Sequence, residues 1–333
     1  MGQKTLSYVA VVVMSIGWDA FAQAPRPGGD IKMLSDGNLH VILCGTGSPL
    51  PDAERAGSCT AVIAAGQVIL VDAGPGSWRK AVLSNVPGQS LSSVLLTHFH
   101  SDHIGDLGEA MTMSWTNGRA APLDVYGPDG VEQVVRGFNE AYGLDKGYRV
   151  AHHSAEFMPP AAHDMIAHVL TVKDGKSLVF EKNGLKAYAF AVDHRPVAPA
   201  YGYRIEYAGR AVVITGDTVA CDNVTRQAQG ADILIHDAMA KAMVSLAAAA
   251  MDGQGQKRTA KLLRDILTYH ASTTEAAKAA ADAKVGTLVL THLVPVPANV
   301  GGERPFLTGV SETFAGKVVV GKDGLRFDLD AKQ

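Results

Sequence analysis

The chain has 333 residues, of which 47% are hydrophobic, 19% are charged and 35 are glycine. This composition supports a large buried core and excludes a disordered or fibrous protein. The 30 Lys and Arg residues against 33 Asp and Glu residues give a formal net charge of −3. Proteins that coat nucleic acid need a basic surface, so we count this charge balance against that class.

The first 22 residues have the pattern of a secretory signal peptide. A short basic start at Met1–Lys4 precedes a 12-residue apolar run at Leu6–Gly17, and Ala20-Phe21-Ala22 supplies an A-x-A cleavage site. The apolar run is too short to span a bilayer. We therefore predict a cleaved signal peptide at 1–22 and an exported protein without a membrane anchor, periplasmic in a bacterium. A buried N-terminal helix is the alternative.

A Pro/Gly-rich linker at 23–37 then leads into a single predicted domain at 38–333, with an insertion or lid around 142–176. Apolar patterning predicts strands at 39–44, 60–65, 68–72, 93–97, 123–126, 178–181, 186–192, 201–207, 211–215, 233–236 and 287–290. It predicts helices at 77–83, 104–115, 131–141, 224–229, 238–250, 259–269 and 274–283. Two strand-rich halves, each closed by helices, indicate an α/β protein built as a four-layer αββα sandwich.

One cluster of side chains dominates the chemistry of the sequence. His98, His100, Asp102 and His103 place four potential metal ligands within six residues, directly after the apolar run Val94–Leu96. In an extended turn His98 and His100 point to the same side, while Asp102 and His103 open a helix and face a neighbouring point. This spacing can serve two divalent ions, and imidazole with carboxylate suits zinc, with manganese or iron as alternatives.

The His-x-His-x-Asp-His pattern resembles the signature of the metallo-β-lactamase fold, and the resemblance continues along most of the chain. It implies that Asp72 braces the ligand loop. It also implies two metal ions, whose ligands are His98, His100 and His194 for one, Asp102, His103 and His292 for the other, and Asp217 as the bridge.

Finer motifs resemble one branch, ribonuclease Z with its arylsulfatase-like and phosphodiesterase relatives. These motifs are Gly45–Pro49, His194 before Gly202-Tyr203-Arg204, and His270–Thr273. The resemblance implies that a metal-bridging hydroxide is the nucleophile and that His270 is a proton donor, oriented by Asp237 where ribonuclease Z has glutamate. Asp102 is counted with them as catalytic. A core role is favoured for His236.

Within that branch we predict an ester-bond hydrolase of small anionic substrates, either a sulfate ester or a phosphodiester such as a cyclic nucleotide. No nucleic acid substrate is expected. The predicted export and the net charge of −3 argue against transfer RNA, and only 23 positions separate His194 from Asp217. In ribonuclease Z the RNA-gripping arm lies in that interval. A homodimer is plausible from the resemblance alone.

Several alternatives stay open. A lactonase or β-lactamase of the same fold is one, although such lactam hydrolases typically lack an aspartate that matches Asp217. An iron-binding redox protein or a non-catalytic scaffold is another, although all seven ligands are present. The insertion residues Tyr148, Arg149, His152 and His153, and Arg195 beside a ligand, either line the pocket or lie in solvent. Cys44 and Cys59 either pair or remain thiols.

Overall fold

A computed structural model describes residues 28–173, 175–297 and 300–332. The signal-peptide prediction at 1–22 therefore lies outside the described residues. Two seven-stranded mixed sheets face each other, and helices cover their outer faces, so the predicted αββα sandwich is confirmed. Among the described residues, we find no helix with both the length and the apolar character that a membrane crossing needs.

The first sheet has the order β14-β1-β2-β3-β4-β5-β6. Its β3 to β6 run parallel and its remaining pairs are antiparallel. The strands are β1 (Leu39–Gly45), β2 (Cys59–Ala64), β3 (Gln67–Val71), β4 (Leu91–Leu95), β5 (Leu123–Gly127), β6 (Met165–Val169) and β14 (Arg326–Leu329).

The second sheet has the order β13-β12-β11-β10-β9-β8-β7, and its parallel part runs from β10 to β13. Its strands are β7 (Lys176–Lys182), β8 (Leu185–His194), β9 (Val197–Tyr207), β10 (Arg210–Ile214), β11 (Ile233–Met239), β12 (Thr287–Val294) and β13 (Lys317–Val320). Every residue of β1 and β11 is buried, as expected for strands covered on both faces.

The helices on the first sheet differ most from the prediction. They are α1 (Ser77–Leu83), α2 (Ser101–Ile104), α3 (Leu107–Thr116) and α4 (Val131–Phe157). The predicted helix at 131–141 thus extends 16 residues further, through half of the segment interpreted as an insertion or lid, with a kink at Ser154, where φ is 70°. Three glycines within it weaken its helical signal. Only Val131 and Val135 of this helix are buried. The lid interpretation stays a prediction.

Four of the helices on the second sheet lie close to their predicted positions, and the two nearest the C-terminus were not predicted. They are α5 (Asp222–Ala228), α6 (Lys241–Gly253), α7 (Lys257–Ile266), α8 (Thr273–Asp282), α9 (Val300–Phe306) and α10 (Val310–Thr313). The central core lies between the two sheets, where Leu43, Val71, Tyr203 and Ile235 are buried. Cys44, Cys59 and Cys221 are free thiols.

A capping box fixes the start of α8, two residues beyond His270. Ser272 Oγ accepts a hydrogen bond from the Glu275 amide at 3.1 Å, and the Glu275 carboxylate accepts one from the Ser272 amide at 2.6 Å. Ser272→Ala should therefore lower the free energy of unfolding by about 1 kcal/mol, measured by urea denaturation. Ser245→Ala, on the exposed face of α6, should change it by less than about 0.5 kcal/mol. Equal effects of the two substitutions would contradict this role.

Candidate metal centre

The predicted ligands all lie where strands of the two sheets end. His98, His100, Asp102 and His103 follow β4, His194 ends β8, and Asp217 follows β10. In open α/β sheets such strand ends form the usual crevice for ligands. The two sheets are joined at this edge, because Tyr203 of β9 donates a hydrogen bond from its hydroxyl to Leu96 O at 2.7 Å.

Asp72 holds the ligand loop in place, as the resemblance implied. It follows β3 in a left-handed conformation with φ of 61°. Its Oδ1 accepts the backbone N–H of Thr97 at 2.8 Å, and its Oδ2 accepts Nδ1–H of His103 at 2.8 Å. A carboxylate on Nδ1 fixes the tautomer and leaves Nε2 as the coordinating nitrogen. The Nε2 atom of His103 thus faces Asp102 and Asp217, 3.4 Å from each.

His292 reaches the centre through an irregularity of β12. Asp237 of β11 pairs with Thr291 and Ala238 pairs with Leu293, so His292 is skipped in the ladder. Its backbone has a φ of 48°, which re-aims the side chain as a β-bulge does. The Nε2 atom of His292 lies 3.1 Å from Asp102 Oδ2 and 3.3 Å from Asp217 Oδ2.

His194 is oriented from the opposite side of the centre. Its Nδ1 lies 3.0 Å from the carbonyl oxygen of Tyr269 and donates to it, so Nε2 is the free nitrogen. That Nε2 is 3.9 Å from Asp217 Oδ2, the same distance that separates His98 Nε2 from this oxygen. Sequence reasoning missed Tyr269, whose contribution is a backbone carbonyl and therefore leaves no side-chain signal.

The candidate ligand atoms form three groups, and within each group the atoms lie within 4.8 Å of one another. Two groups match the sequence assignment, namely His98, His100, His194 and Asp217, and Asp102, His103 and His292. The third group joins His270 to Asp217 and His292. The structure therefore brings together the residues that the sequence assigned to two metal positions, whereas their roles as ligands stay predictions.

The donor atoms of the centre fit divalent cations. His103 Nε2, His194 Nε2 and Asp217 Oδ1 are buried and have no hydrogen-bond partner. A buried polar atom without a partner costs about 1–3 kcal/mol, so such atoms need an explanation. Several of them converge here, and a cation between the rings and carboxylates would satisfy them together.

The electrostatics of the centre prepare it for a cation. Burial lowers the pKa values of His98 and His194, so both rings are neutral at pH 7 and offer a lone pair. Burial alone would raise the pKa of Asp217, but His292 and His103 outweigh it and hold that pKa well below its usual range. Burial lowers the pKa of His103, but the Asp217 and Asp72 carboxylates raise it by more, so the pKa of His103 stands well above its usual value. A bound cation would replace the protons that balance these carboxylates.

His270 and Asp237 form the predicted pair beside the ligands. His270 Nδ1 lies 3.1 Å from Asp237 Oδ2 and 4.0 Å from Asp217 Oδ2, and both His270 and Asp237 are buried. Burial opposes ionisation of Asp237, but hydrogen bonds from His236 and His270 outweigh it and lower its pKa. His236 contacts Asp237, with Nδ1 2.9 Å from the carbonyl oxygen of that residue, and it does not line the cavity described next.

A cavity of about 370 Å³ opens over the centre. Its floor includes His100, Asp102, Asp217, His270 and His292. Ser48 and Pro49 of the Gly45–Pro49 motif also line it. Sequence reasoning missed the other lining residues, namely Leu50, Ser101, Thr259, Leu262, Leu263, Ile266, Tyr269 and Val294. The apolar residues at 262, 263 and 266, on one face of a predicted helix, were the available signal.

The insertion residues considered as pocket candidates do not line this cavity. Tyr148 is exposed on α4, and Arg149 forms an ion pair with Asp145 at 2.6 Å. His152 and His153 are exposed near the end of the same helix. Arg195 is 78% exposed and pairs with Asp193.

Asp72→Asn should lower the affinity of the protein for Zn²⁺ about 10- to 100-fold, because the amide no longer fixes His103 with Nε2 towards the centre. Competition with a chelating dye at pH 7 measures this affinity. The matched control is Asp124→Asn, which disturbs a surface carboxylate–histidine contact, 2.7 Å from His168 Nε2. Equal affinities of the two variants would contradict the role assigned to Asp72.

The comparisons with known proteins identify the family. Residues 67–293 match the family model described as the Beta-lactamase superfamily domain. Ribonuclease Z of Mycolicibacterium paratuberculosis is 42% identical over 296 residues, which cover 88% of this chain and 99% of the relative. The fold is also that of the metallo-beta-lactamase fold protein YhfI from Bacillus subtilis, with a TM-score of 0.61, 21% identity and coverage of 87% of this chain and 99% of that chain. The short form of human tRNase Z gives a TM-score of 0.59 and 20% identity, covering the same shares.

These relatives overturn the predicted function and the predicted partner. We favoured a small sulfate ester or phosphodiester and no nucleic acid, whereas relatives about 40% identical over most of the chain are named for cleaving RNA. A formal net charge is a sum over the whole chain, while binding depends on where charges lie. The alignment of 296 residues covers 99% of the relative, so it leaves no room there for a long arm that this chain lacks.

The predicted periplasmic location is contradicted by the same relatives.

The predicted enzyme class is confirmed. The family match and the relatives make the chain a metal-dependent hydrolase of ester bonds rather than a redox protein or a scaffold. The family match supports divalent-metal binding, and the His/Asp groups are the candidate ligands. The chain belongs to the β-lactamase superfamily, among relatives named ribonuclease Z.

Proposed function

We propose that this protein is a dinuclear, zinc-dependent hydrolase of phosphodiester bonds in RNA. The observation that carries this proposal is the match to 99% of the length of a ribonuclease Z at 42% identity, over 88% of this chain. The human structure with the same fold is a tRNase Z, so the first substrate to test is a transfer RNA precursor with a 3′ extension.

The proposed division of the ligands follows the two groups of donor atoms. His98, His100 and His194 hold one ion, whereas Asp102, His103 and His292 hold the other, and Asp217 is shared because its Oδ2 lies within 4 Å of rings from both groups. Bound zinc lowers the pKa of water and neutralises charge on phosphoryl oxygens. Asp102 also lines the cavity, which supports counting it as catalytic.

The proposed proton donor is His270. Cleavage of the phosphodiester breaks a phosphorus–oxygen bond to ribose, and the departing alkoxide needs a proton because it is strongly basic. Asp237 accepts from Nδ1 of His270, which leaves Nε2 as the nitrogen that exchanges a proton with the substrate. The Asp237 side chain is shorter than the glutamate expected at this position in ribonuclease Z, but its Oδ2 still lies 3.1 Å from His270 Nδ1.

The arrangement also accounts for RNA binding by a chain with a net charge of −3. Two divalent ions against the two carboxylates of the ligand set leave a local positive charge at the cavity floor. Such a charge attracts a phosphate whatever the sum over the rest of the surface, because charges separated by more than about 8–10 Å are largely screened at physiological salt.

His100→Ala should abolish cleavage of the precursor RNA, with a loss on the order of 10³-fold or more, because a metal ion supplies several kcal/mol of transition-state stabilisation. His100 is the exposed member of its group, so its removal should not disturb folding. Rates on labelled RNA and metal content by mass spectrometry should fall together. His168→Ala, at a half-exposed histidine outside the centre, is the control. RNA left intact by wild-type protein with two bound ions would refute the proposed function.

His270→Ala should slow RNA cleavage by about 10²- to 10⁴-fold but should slow hydrolysis of bis(p-nitrophenyl) phosphate much less. Nitrophenolate is a weak base and leaves without a proton, so the difference between substrates isolates proton donation. Metal content should be unchanged. His270 also lies near Asp217 and His292. If His270→Ala loses a metal ion and its rates on the two substrates fall equally, His270 is a metal ligand rather than a proton donor.

A further inference from the structure

The strongest unexplained feature is the helix that borders the cavity. α7 is amphipathic, and Thr259, Leu262, Leu263 and Ile266 all line the cavity. These positions follow the i, i+3, i+4, i+7 spacing of one helical face. The opposite face carries Lys257 and other charged residues whose side chains are exposed. An apolar helix face normally packs into a core, whereas much of this one faces the space above the metal ligands.

Apolar residues from outside α7 also line this cavity. Pro49 and Leu50 lie in the loop after β1, and Val294 ends β12. Leu50 is 50% exposed and Leu262 is 55% exposed, so both leucines present apolar surface to the cavity. Ligand sites are typically apolar pockets with a few convergent polar groups, which here are the ligands on the floor. Apolar surface in such a place is covered when a substrate binds.

Some residues of the α7 face pack in a small core, whereas Leu262 does not. Leu263 and Ile266 also pack on a small core formed by Met239, Val244 and Val294. Leu262 does not belong to that core. Asp252 of α6 pairs with Lys257 at 2.8 Å and with Arg264 at 2.6 Å, and these contacts hold the two helices together. Leu262 is therefore the position at which the apolar wall can be changed without disturbing the helix pair.

We propose that the apolar part of this cavity, which Pro49, Leu50 and Leu262 line, is a nucleobase subsite that receives a base beside the scissile phosphodiester. This inference rests on the proposed function. A nucleotide next to the cleaved bond offers a charged phosphate, a polar ribose and a flat base with apolar faces. The floor suits the phosphate. Among the described residues no lysine or arginine lines the cavity, so its walls favour the uncharged base.

The apolar part of this subsite gives little means of reading base identity, because Pro49, Leu50 and Leu262 fit the face of any base. The uncharged polar residues in the cavity lining are Ser48, Ser101, Thr259 and Tyr269, and the Oγ of Ser48 is buried. Their hydroxyls can each donate or accept a hydrogen bond, so they do not select one base edge. We therefore expect the subsite to require a base and to discriminate weakly among the four.

The test compares base removal with removal of the leucine. An oligoribonucleotide that the wild-type protein cleaves is prepared in three forms. One form is intact, one lacks the base on the 5′ side of the bond that is cleaved, and one lacks the base on the 3′ side. With wild-type protein one abasic form should lose about tenfold or more in kcat/KM. Leu262→Ser should lose a similar factor on the intact RNA and nothing further on that abasic form, because both changes remove the same contact. Leu262→Met should restore most of the rate.

The control is Leu246→Ser, which removes a leucine that is 73% exposed on α6 and does not line the cavity. It should leave kcat/KM unchanged on all three RNAs. The subsite would be overturned if the losses in kcat/KM from Leu262→Ser and from base removal multiply when both changes are combined. It would also be overturned if neither abasic RNA loses activity. In both cases RNA cleavage by the wild type would still support the proposed function.

A second pair of probes separates the two ideas if the wild type cleaves no RNA. The ratio of kcat/KM for bis(p-nitrophenyl) phosphate over methyl p-nitrophenyl phosphate measures preference for a flat group beside the reacting phosphate. Failure on RNA refutes the proposed function and the nucleobase as occupant. A ratio that falls in Leu262→Ser but not in Leu246→Ser would then support an apolar subsite for a flat group, whereas an unchanged ratio would refute the subsite itself.

Discussion

The Asp217 carboxylate is the point on which the rest of the site depends. Its Oδ2 lies 3.3 Å from His292, 3.4 Å from His103 and 3.9 Å from both His98 and His194. These rings come from both sheets, so one buried oxygen fixes how the sheets meet at their carboxyl edge. Removing it would take a carboxylate away from His103 and His292, whose pKa values it raises, and buried charge with less compensation is costly in a low-dielectric interior.

Close approach at this edge depends on unusual backbone conformations. Asp72 and His292 both have positive φ values, and Gly216 has a φ of 63°. A Cβ atom at Gly216 would stand 2.8 Å from the Thr97 side chain, so only glycine allows the Asp217 loop to approach the ligand loop. Such conformations cost stability, and they persist where the surrounding contacts impose them.

The ligand loop could be predicted because its four donors are neighbours in sequence. His194 and His292 needed the resemblance, since neither the bulge at His292 nor the carbonyl that orients His194 leaves a pattern of residue types. The extent of α4 was underestimated because its glycines mask the helical periodicity. The substrate was mispredicted because net charge is a sum over the whole chain, and because a relative named ribonuclease Z, covered over 99% of its length, has no long arm that this chain lacks. The apolar residues of α7 follow helical spacing in the sequence, but only the tertiary structure places that face of the helix over the cavity.

The helix pair α6–α7 occupies the interval between Asp237 and His270, the two residues of the proposed proton-donor pair. The length of this helix pair need not disturb the proton-donor pair, because a backbone hydrogen bond from Met239 N to Ala271 O at 2.9 Å joins the chain just before α6 to the chain just after α7. A bridge between Met239 and Ser272 adds to this closure. The chemical groups are thus fixed by strand ends, whereas the apolar wall lies on a hairpin of helices beyond the closure. Changes in the hairpin can alter which substrate is accepted and leave the reacting groups in place.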